Sequence, residues 1–300
     1  ALNYFLDDIY HGQHILKEQI IPEEQIMGND AFQPHMLKHS LKGKIYSQIS
    51  GIDIIRDGEG EFFVLEDNLR TPSGVSYMIE SRNISQKLMP ELCTANNLQG
   101  IEHYPKLLKE ILQENSPADQ PFIVVLTPGR FNSAYYEHAF LAREMDVPLV
   151  TNRDLFVEND QVFVKAIRGR QKVDVIYRRL DDDFLDPLAF RPDSALCVAG
   201  LMSAYLQKNV VIANAPGTGV ADDKSIYPYV DQMIQYYLDE TPILKNVPTC
   251  QCRKEEHLDY VLSNLDQLVV KEAQGSGGYG MLIGPKASSC EIDEFRKKLI

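Results

Sequence analysis

Four glycines in six residues, Gly275, Gly277, Gly278 and Gly280, stand between two β-prone runs, Val269-Val270 and Met281–Ile283. The flanking apolar residues make this segment strand, loop, strand. Glycine at that density lets a backbone take positive φ and approach a ligand closely. Successive N–H groups in such a loop form a concavity that suits phosphate oxygens. Lys271, just upstream, adds a point charge that reaches the same oxygens. Gly275-x-Gly277-x-x-Gly280 matches the dinucleotide fingerprint in letters, but that motif opens a helix and here a strand follows. Gly275 and Gly280 also have the outer spacing of a Walker A loop, yet Met281-Leu282 stand where Lys-Ser/Thr is required. What remains is a glycine loop between strands with an upstream lysine, the arrangement by which kinases cover ATP phosphates. A glycine-rich hairpin with no ligand fits the same residues.

A second constraint lies at Gly51–Asn68, which reads as two strands joined by an Asp57-Gly58 turn. Glu66 and Asn68 are two apart on the second strand and so share a face. A hairpin brings Asp53 of the first strand beside them. Two carboxylates and an amide oxygen are suitable hard ligands for Mg²⁺. A polar face turned to water is the alternative, since exposed acidic residues are common.

The 300 residues suggest about two domains. A net charge of −13 argues against a general nucleic-acid or anionic-membrane surface. Any anionic ligand must therefore be held by a local cluster of donors. No apolar run approaches the ~18–20 residues of a membrane span, and the first residues show no basic-then-apolar signal pattern. Five cysteines, an odd number, do not make a disulfide framework. The expectation is a soluble, cytoplasmic protein. Cys250-x-Cys252 with His257 lacks the second ligand pair of a structural zinc site, so these read as ordinary thiols.

Between those landmarks, Asn3 to about Ile21 has helical spacing and closes at Pro22. Arg70–Tyr77 is a turn into a helix towards Leu92, with Ser73 a possible cap. Another helix covers roughly Tyr104–Leu112. Pro121–Gly129, a helix over Ser133–Met145 and a strand at Val147–Thr151 make a β-α-β pattern that favours a parallel sheet. Gln161–Ile167 and Val173–Tyr177 add strands whose spacing permits a hairpin. Pro192–Leu206 reads as helix, Val210–Asn214 as strand, and a helix is expected from about Asp222 to Leu238. Further helices are expected at Glu255–Leu262 and Ser288–Ile300.

Arg130, Asn132, Tyr135 and Glu137 follow the first strand of the β-α-β unit. Ligands of open α/β sheets bind outside the carboxyl ends of strands. These residues are thus a candidate acceptor-substrate pocket, or equally an ordinary capped turn. Arg179, at the end of a later strand, carries the same ambiguity. Lys224 is expected in the first turn of its helix, where the helix dipole disfavours a cation. A nearby anion explains that position, as does plain solvation.

Gly51-Ile-Asp53, Glu66–Gly74 (Glu-Asp-Asn-Leu-Arg-Thr-Pro-Ser-Gly), Asn214-Ala-Pro-Gly-Thr-Gly, Asp222-Asp-Lys224 and Val270–Gly280 occur in an order that resembles the circularly permuted ATP-grasp family related to glutathionylspermidine synthase. In ordinary ATP-grasp enzymes the phosphate-binding lysines precede the metal carboxylates; here the acidic hairpin comes first. The resemblance implies an α/β architecture of two ATP-grasp lobes, residues 1–117 with the metal strands and 216–300 with the glycine clamp. Between them, 118–215 would form an inserted Rossmann-like, pre-ATP-grasp-type unit. It implies that Asp53, Glu66 and Asn68 bind Mg²⁺ and that Lys224 and Lys271 contact ATP phosphates. The loop Gly275, Ser276, Gly277, Gly278, Tyr279, Gly280 would close over them, and Arg70 would stabilise the transferring phosphoryl group. The implied reaction activates a carboxylate as an acyl phosphate, which an amine then attacks. Small-molecule acids and amines are the implied partners, a peptide or polyamine among them. No part resembles the cysteine amidase that accompanies some relatives, so amide hydrolysis is not expected. Family members continue beyond Ser288–Ile300, and the segment expected to hold adenine has no counterpart in these residues. A nucleotide-binding or scaffolding protein without ligase turnover is the competing class.

Overall fold

In the first helix, α1 (Leu2–Tyr10), Phe5, Leu6, Ile9 and Tyr10 recur at helical spacing and are completely buried. The computed structural model describes residues 1–167, 169–275 and 280–300. The helix expected to reach Ile21 stops at Tyr10, and a short one resumes at His14–Lys17. The Asp8 carboxylate accepts the backbone N–H groups of His14 and Ile15 at 2.9 and 2.8 Å. That local bond competes with continuation of the first helix.

Strands β1 (Gly51–Arg56) and β2 (Phe62–Asn68) form the expected antiparallel hairpin. The helix after them runs over Val75–Leu88 and breaks before Pro90, which starts a separate turn of helix, Pro90–Ala95. Next come β3 (Ile123–Leu126), the helix Tyr135–Glu144 and β4 (Leu149–Val150), with β4 parallel to β3. Three short antiparallel strands follow, β5 (Leu155–Glu158), β6 (Gln161–Ala166) and β7 (Gly169–Lys172). The hairpin partners of β6 are therefore β5 and β7. Val175–Arg178 (β8) pairs parallel with β3 instead, and β9 (Val211–Ala213) pairs parallel with β8. The resulting sheet has the order β4-β3-β8-β9.

In β3, Val124 and Leu126 join one apolar cluster while Ile123 and Val125 join another. All four are at most 3% exposed, so the parallel sheet is covered on both faces. Of the helix expected over Pro192–Leu206, only Leu201–Leu206 forms. Similarly, the helix expected from Asp222 is divided into Gly219–Asp222 and Val230–Leu238, with a 3₁₀ turn carrying Pro228 between them. Strand β10 (Lys245–Asn246) adds to β2 in parallel, and β11 (Val269–Val270) pairs with β12 (Leu282–Ile283). The final helix, Ser289–Leu299, begins with a capping box between Ser288 and Glu291. No helix among the described residues is long and apolar enough to cross a membrane, and the five cysteines are unbridged.

Candidate functional site

The β1–β2 register sets Asp53 opposite Glu66 and Gly51 opposite Asn68, with a bulge after Asp53. Asn68 Nδ2 donates to Gly51 O at 3.2 Å and lies 3.5 Å from Asp53 Oδ1. The hairpin thus brings the three expected metal ligands to one edge. Its open end, beside these residues, is anchored by Asn214, whose Nδ2 donates to Ile49 O and Leu69 O at 2.7 and 2.6 Å. Asn214 Oδ1 accepts from the backbone of Gln48 and Ile49. Midway along β2, the Tyr227 hydroxyl donates to Val64 O at 2.5 Å.

Both expected phosphate lysines converge on the hairpin. Lys224 Nζ is 3.3 Å and Lys271 Nζ 3.9 Å from Glu66 Oε2. That oxygen is buried and takes no hydrogen bond among the described residues. Lys224 also donates from Nζ to Gly275 O at 2.9 Å and from its backbone N to Ala273 O at 3.1 Å. It lies just past the short helix Gly219–Asp222, beyond the first turn in which a cation is disfavoured. Burial pushes the Asp53 carboxyl above its ordinary range, and the facing Glu66 pushes it further, against the pull of Lys271 and Lys224. Two crowded carboxylates, one with an unbonded oxygen, are a donor set that a hard divalent cation fits.

These groups open on a cavity of about 510 Å³ lined by Glu66, Asn68, Arg70, Lys224, Lys271 and Gly275. Asp53 stands exposed at its margin rather than in its lining. Asp30, Asp181, Asp182 and Asp183 also line the cavity. Of the glycine loop, Gly275 and Gly280 are described; Ser276, Gly277, Gly278 and Tyr279 lie outside the described residues. Gly280 has φ +65°, the left-handed conformation that favours glycine.

Arg70 is held by a residue whose role the sequence does not reveal. Asp222 Oδ2 accepts from Arg70 Nε at 2.6 Å, while Oδ1 accepts the backbone N–H groups of Leu69 and Arg70. Asp181 stands 3.7 Å from Arg70 Nη1. Burial alone would lower the Arg70 pKa, but Asp222 outweighs it and the guanidinium is held above its ordinary value.

None of the five candidate acceptor residues lines the cavity that holds Glu66, Lys224 and Lys271. Arg130 is exposed with its guanidinium 5.0 Å from the Phe131 ring, and Asn132 Oδ1 accepts from Ala134 N at 2.9 Å. Tyr135 is half-buried at the start of its helix. Glu137 and Arg179, 1% and 3% exposed, form an ion pair of 3.3 Å. Glu137 Oε2 accepts from Gly74 N, Ser76 N and Ser76 Oγ at 2.7–3.0 Å, so it caps the helix in place of Ser73. Arg179 Nη2 donates to Pro72 O and Ser73 Oγ at 2.8 and 2.7 Å. Buried and bonded in this way, the pair braces the turn after β2.

Asp67 points to the face of β2 opposite Glu66 and Asn68, 5% exposed, with Oδ2 lacking a partner among the described residues. Burial pushes its carboxyl up to about 6, with help from Asp222, Asp53 and Glu66. A raised pKa in the folded state means that stability is greatest below the unfolded value near ~3.9 and is lost as pH rises through about 6. Asp67→Asn is accordingly expected to raise unfolding free energy by about 1–2 kcal/mol at pH 7.5 without divalent cations. The gain should shrink towards pH 4, as urea unfolding at both pH values would measure.

The chain matches a family model described as circularly permuted ATP-grasp type 2 over residues 1–300. It is 49% identical over its whole length to an uncharacterised protein of Synechocystis sp., covering 63% of that protein. A Mycobacterium tuberculosis protein, also uncharacterised, is 44% identical, with all of this chain matching 55% of it. A Frankia alni protein named "Putative glutamate–cysteine ligase 2-3" is 40% identical, again over the whole chain but only 35% of the relative. The chain therefore spans about a third to three-fifths of these relatives. With a hairpin of hard ligands, two convergent lysines and a family match from end to end, the chain belongs to the circularly permuted ATP-grasp type 2 family.

Proposed function

We propose that the protein is the ATP- and Mg²⁺-dependent core of a carboxylate–amine ligase that forms an amide bond through an acyl phosphate. The observation that carries this reading is the meeting of Glu66, Lys224, Lys271 and the Gly275 end of the glycine loop in one cavity. Asp53, Glu66 and Asn68 would hold Mg²⁺, which when bound neutralises phosphate charge and orients the nucleotide. Lys224 and Lys271 would exchange Glu66 for phosphate oxygens, and the loop Gly275–Gly280 would cover them. Arg70 lies where charge develops on the transferring group. Little covalent chemistry is asked of the protein, since positioning and charge neutralisation carry phosphoryl transfer. Residues 1–117, 118–215 and 216–300 are the proposed lobe, Rossmann-like insertion and clamp lobe.

The Frankia relative suggests amino-acid substrates, and glutamate with cysteine is one pair to try. The match occupies only 35% of that protein, however, so its name covers much that lies outside the match. A glutathionylspermidine synthase-like reaction, with a peptide acid and a polyamine, is the other pair. The acidic residues Asp30, Asp181 and Asp183 beside the cavity suit a cationic acceptor.

Calorimetric titration with Mg-ATP tests the nucleotide site. Binding should require Mg²⁺ and weaken about 10- to 100-fold in both Lys271→Ala and Glu66→Ala, the scale of a lost charged hydrogen bond. Equal affinity with and without the metal, or in either variant, would remove the basis for the reading. ADP release that depends on an added acid and amine then separates a ligase from a protein that only binds nucleotide.

A further inference from the structure

Arg70 is the cationic group in the cavity for which the sequence supplies no holder, and its surroundings are built with unusual economy. Asp222 spends both carboxylate oxygens on one dipeptide, Leu69-Arg70: two backbone N–H groups on Oδ1 and the Arg70 Nε on Oδ2. Both Nη groups of Arg70 are left without a hydrogen bond among the described residues, on a side chain that lines the cavity. A second, independent feature acts on the same side chain. A Cβ on Gly219 would stand 2.8 Å from Arg70 Cδ and 2.9 Å from Ala31 Cβ, so the absent side chain makes room for the arginine stem. Gly219 and Asp222 are three apart on one short helix and therefore share a face. One receives the stem and the other fixes the head.

We propose that Gly219 and Asp222 form a cradle that positions Arg70 for the phosphoryl group, with both residues acting through Arg70 rather than on the nucleotide. The inference rests on the ligase reading given above. It explains why glycine and aspartate stand at those places in Asn214-Ala-Pro-Gly-Thr-Gly-Val-Ala-Asp222. The same segment leads into Lys224 two residues later, which meets Glu66. Bidentate use of a guanidinium requires its plane to be fixed, which Nε capture by a carboxylate does.

The test compares Asp222→Asn, which keeps an acceptor for the backbone but loses the charge, with Gly219→Ala, which keeps Asp222 but displaces the stem. Each should lower kcat for ADP formation by about 10- to 100-fold, the scale of a misplaced reacting group. The Mg-ATP dissociation constant by calorimetry should stay within about 3-fold, because uniform binding is not what is lost. In nitrogen-15 spectra, the Arg70 Nε–H signal, assigned with Arg70→Lys, should shift in both variants. It should also respond to Mg²⁺ with a non-hydrolysable ATP analogue in the unaltered protein. Loss of nucleotide affinity in step with kcat, or an Arg70 signal indifferent to both variants, overturns the cradle. If the unaltered protein shows no turnover, the ligase reading fails while the spectra still decide whether the cradle holds Arg70.

Discussion

Glu66→Gln is expected to reduce ADP formation by about 10³-fold or more at saturating ATP, because it removes one of two carboxylates from the proposed metal edge. The same change should have the opposite sign on a different quantity. Lys224 and Lys271 lie 3.3 and 3.9 Å from Glu66 and are partly neutralised by it. With glutamine there, metal-free ATP meets two unpaired ammonium groups and should bind more tightly than in the unaltered protein. Paired titrations with and without Mg²⁺ would show the two curves moving towards each other. Turnover within about 10-fold of the unaltered protein would mean that the metal does not sit on this hairpin.

Glu137→Ala is expected to destabilise the protein by about 3–5 kcal/mol, the usual effect of breaking a buried ion pair on one side. It leaves Arg179 buried beside Tyr177 and uncaps Gly74 and Ser76. Replacing both partners, as Glu137→Gln with Arg179→Met, should cost less than the sum of the single changes, since no unpaired charge remains. Urea unfolding followed by circular dichroism measures both. Additive losses would show that the two residues act separately and that the turn is held by something else.

The parts of this protein that the sequence makes legible are those set by near neighbours. Asp57-Gly58 and the period-2 pattern of Glu66 and Asn68 mark the hairpin, but its register needed the structure: the loop runs to Glu61, Arg56 pairs with Phe62, and a bulge after Asp53 sets it opposite Glu66. Lys224 and Lys271, which meet at Glu66, could be picked out because each sits beside a short motif of its own. Arg70's partner could not, because Asp222 is 152 residues away and nothing local links them. Glu137 and Arg179 looked like substrate ligands for a related reason: position at strand ends is visible in sequence, whereas burial by a turn 61 and 106 residues distant is not. Helix ends failed where a side chain or a proline intervened, as at Asp8, Pro90 and Pro228. The hairpin expected between Gln161–Ile167 and Val173–Tyr177 failed because β7, short and polar, takes that edge of β6 and leaves β8 to the parallel sheet.

Strand β3 is paired on both sides and buried on both faces, whereas β11 and β12, which flank the glycine loop, pair over only two residues each. Local opening follows buried contact, so these two regions lie at opposite ends of the free-energy scale for fluctuation. The two short strands β11 and β12 therefore open more cheaply than β3. Fraying of these two strands can be frequent while the central sheet stays shut, so local motion there and the persistence of the fold become separately adjustable.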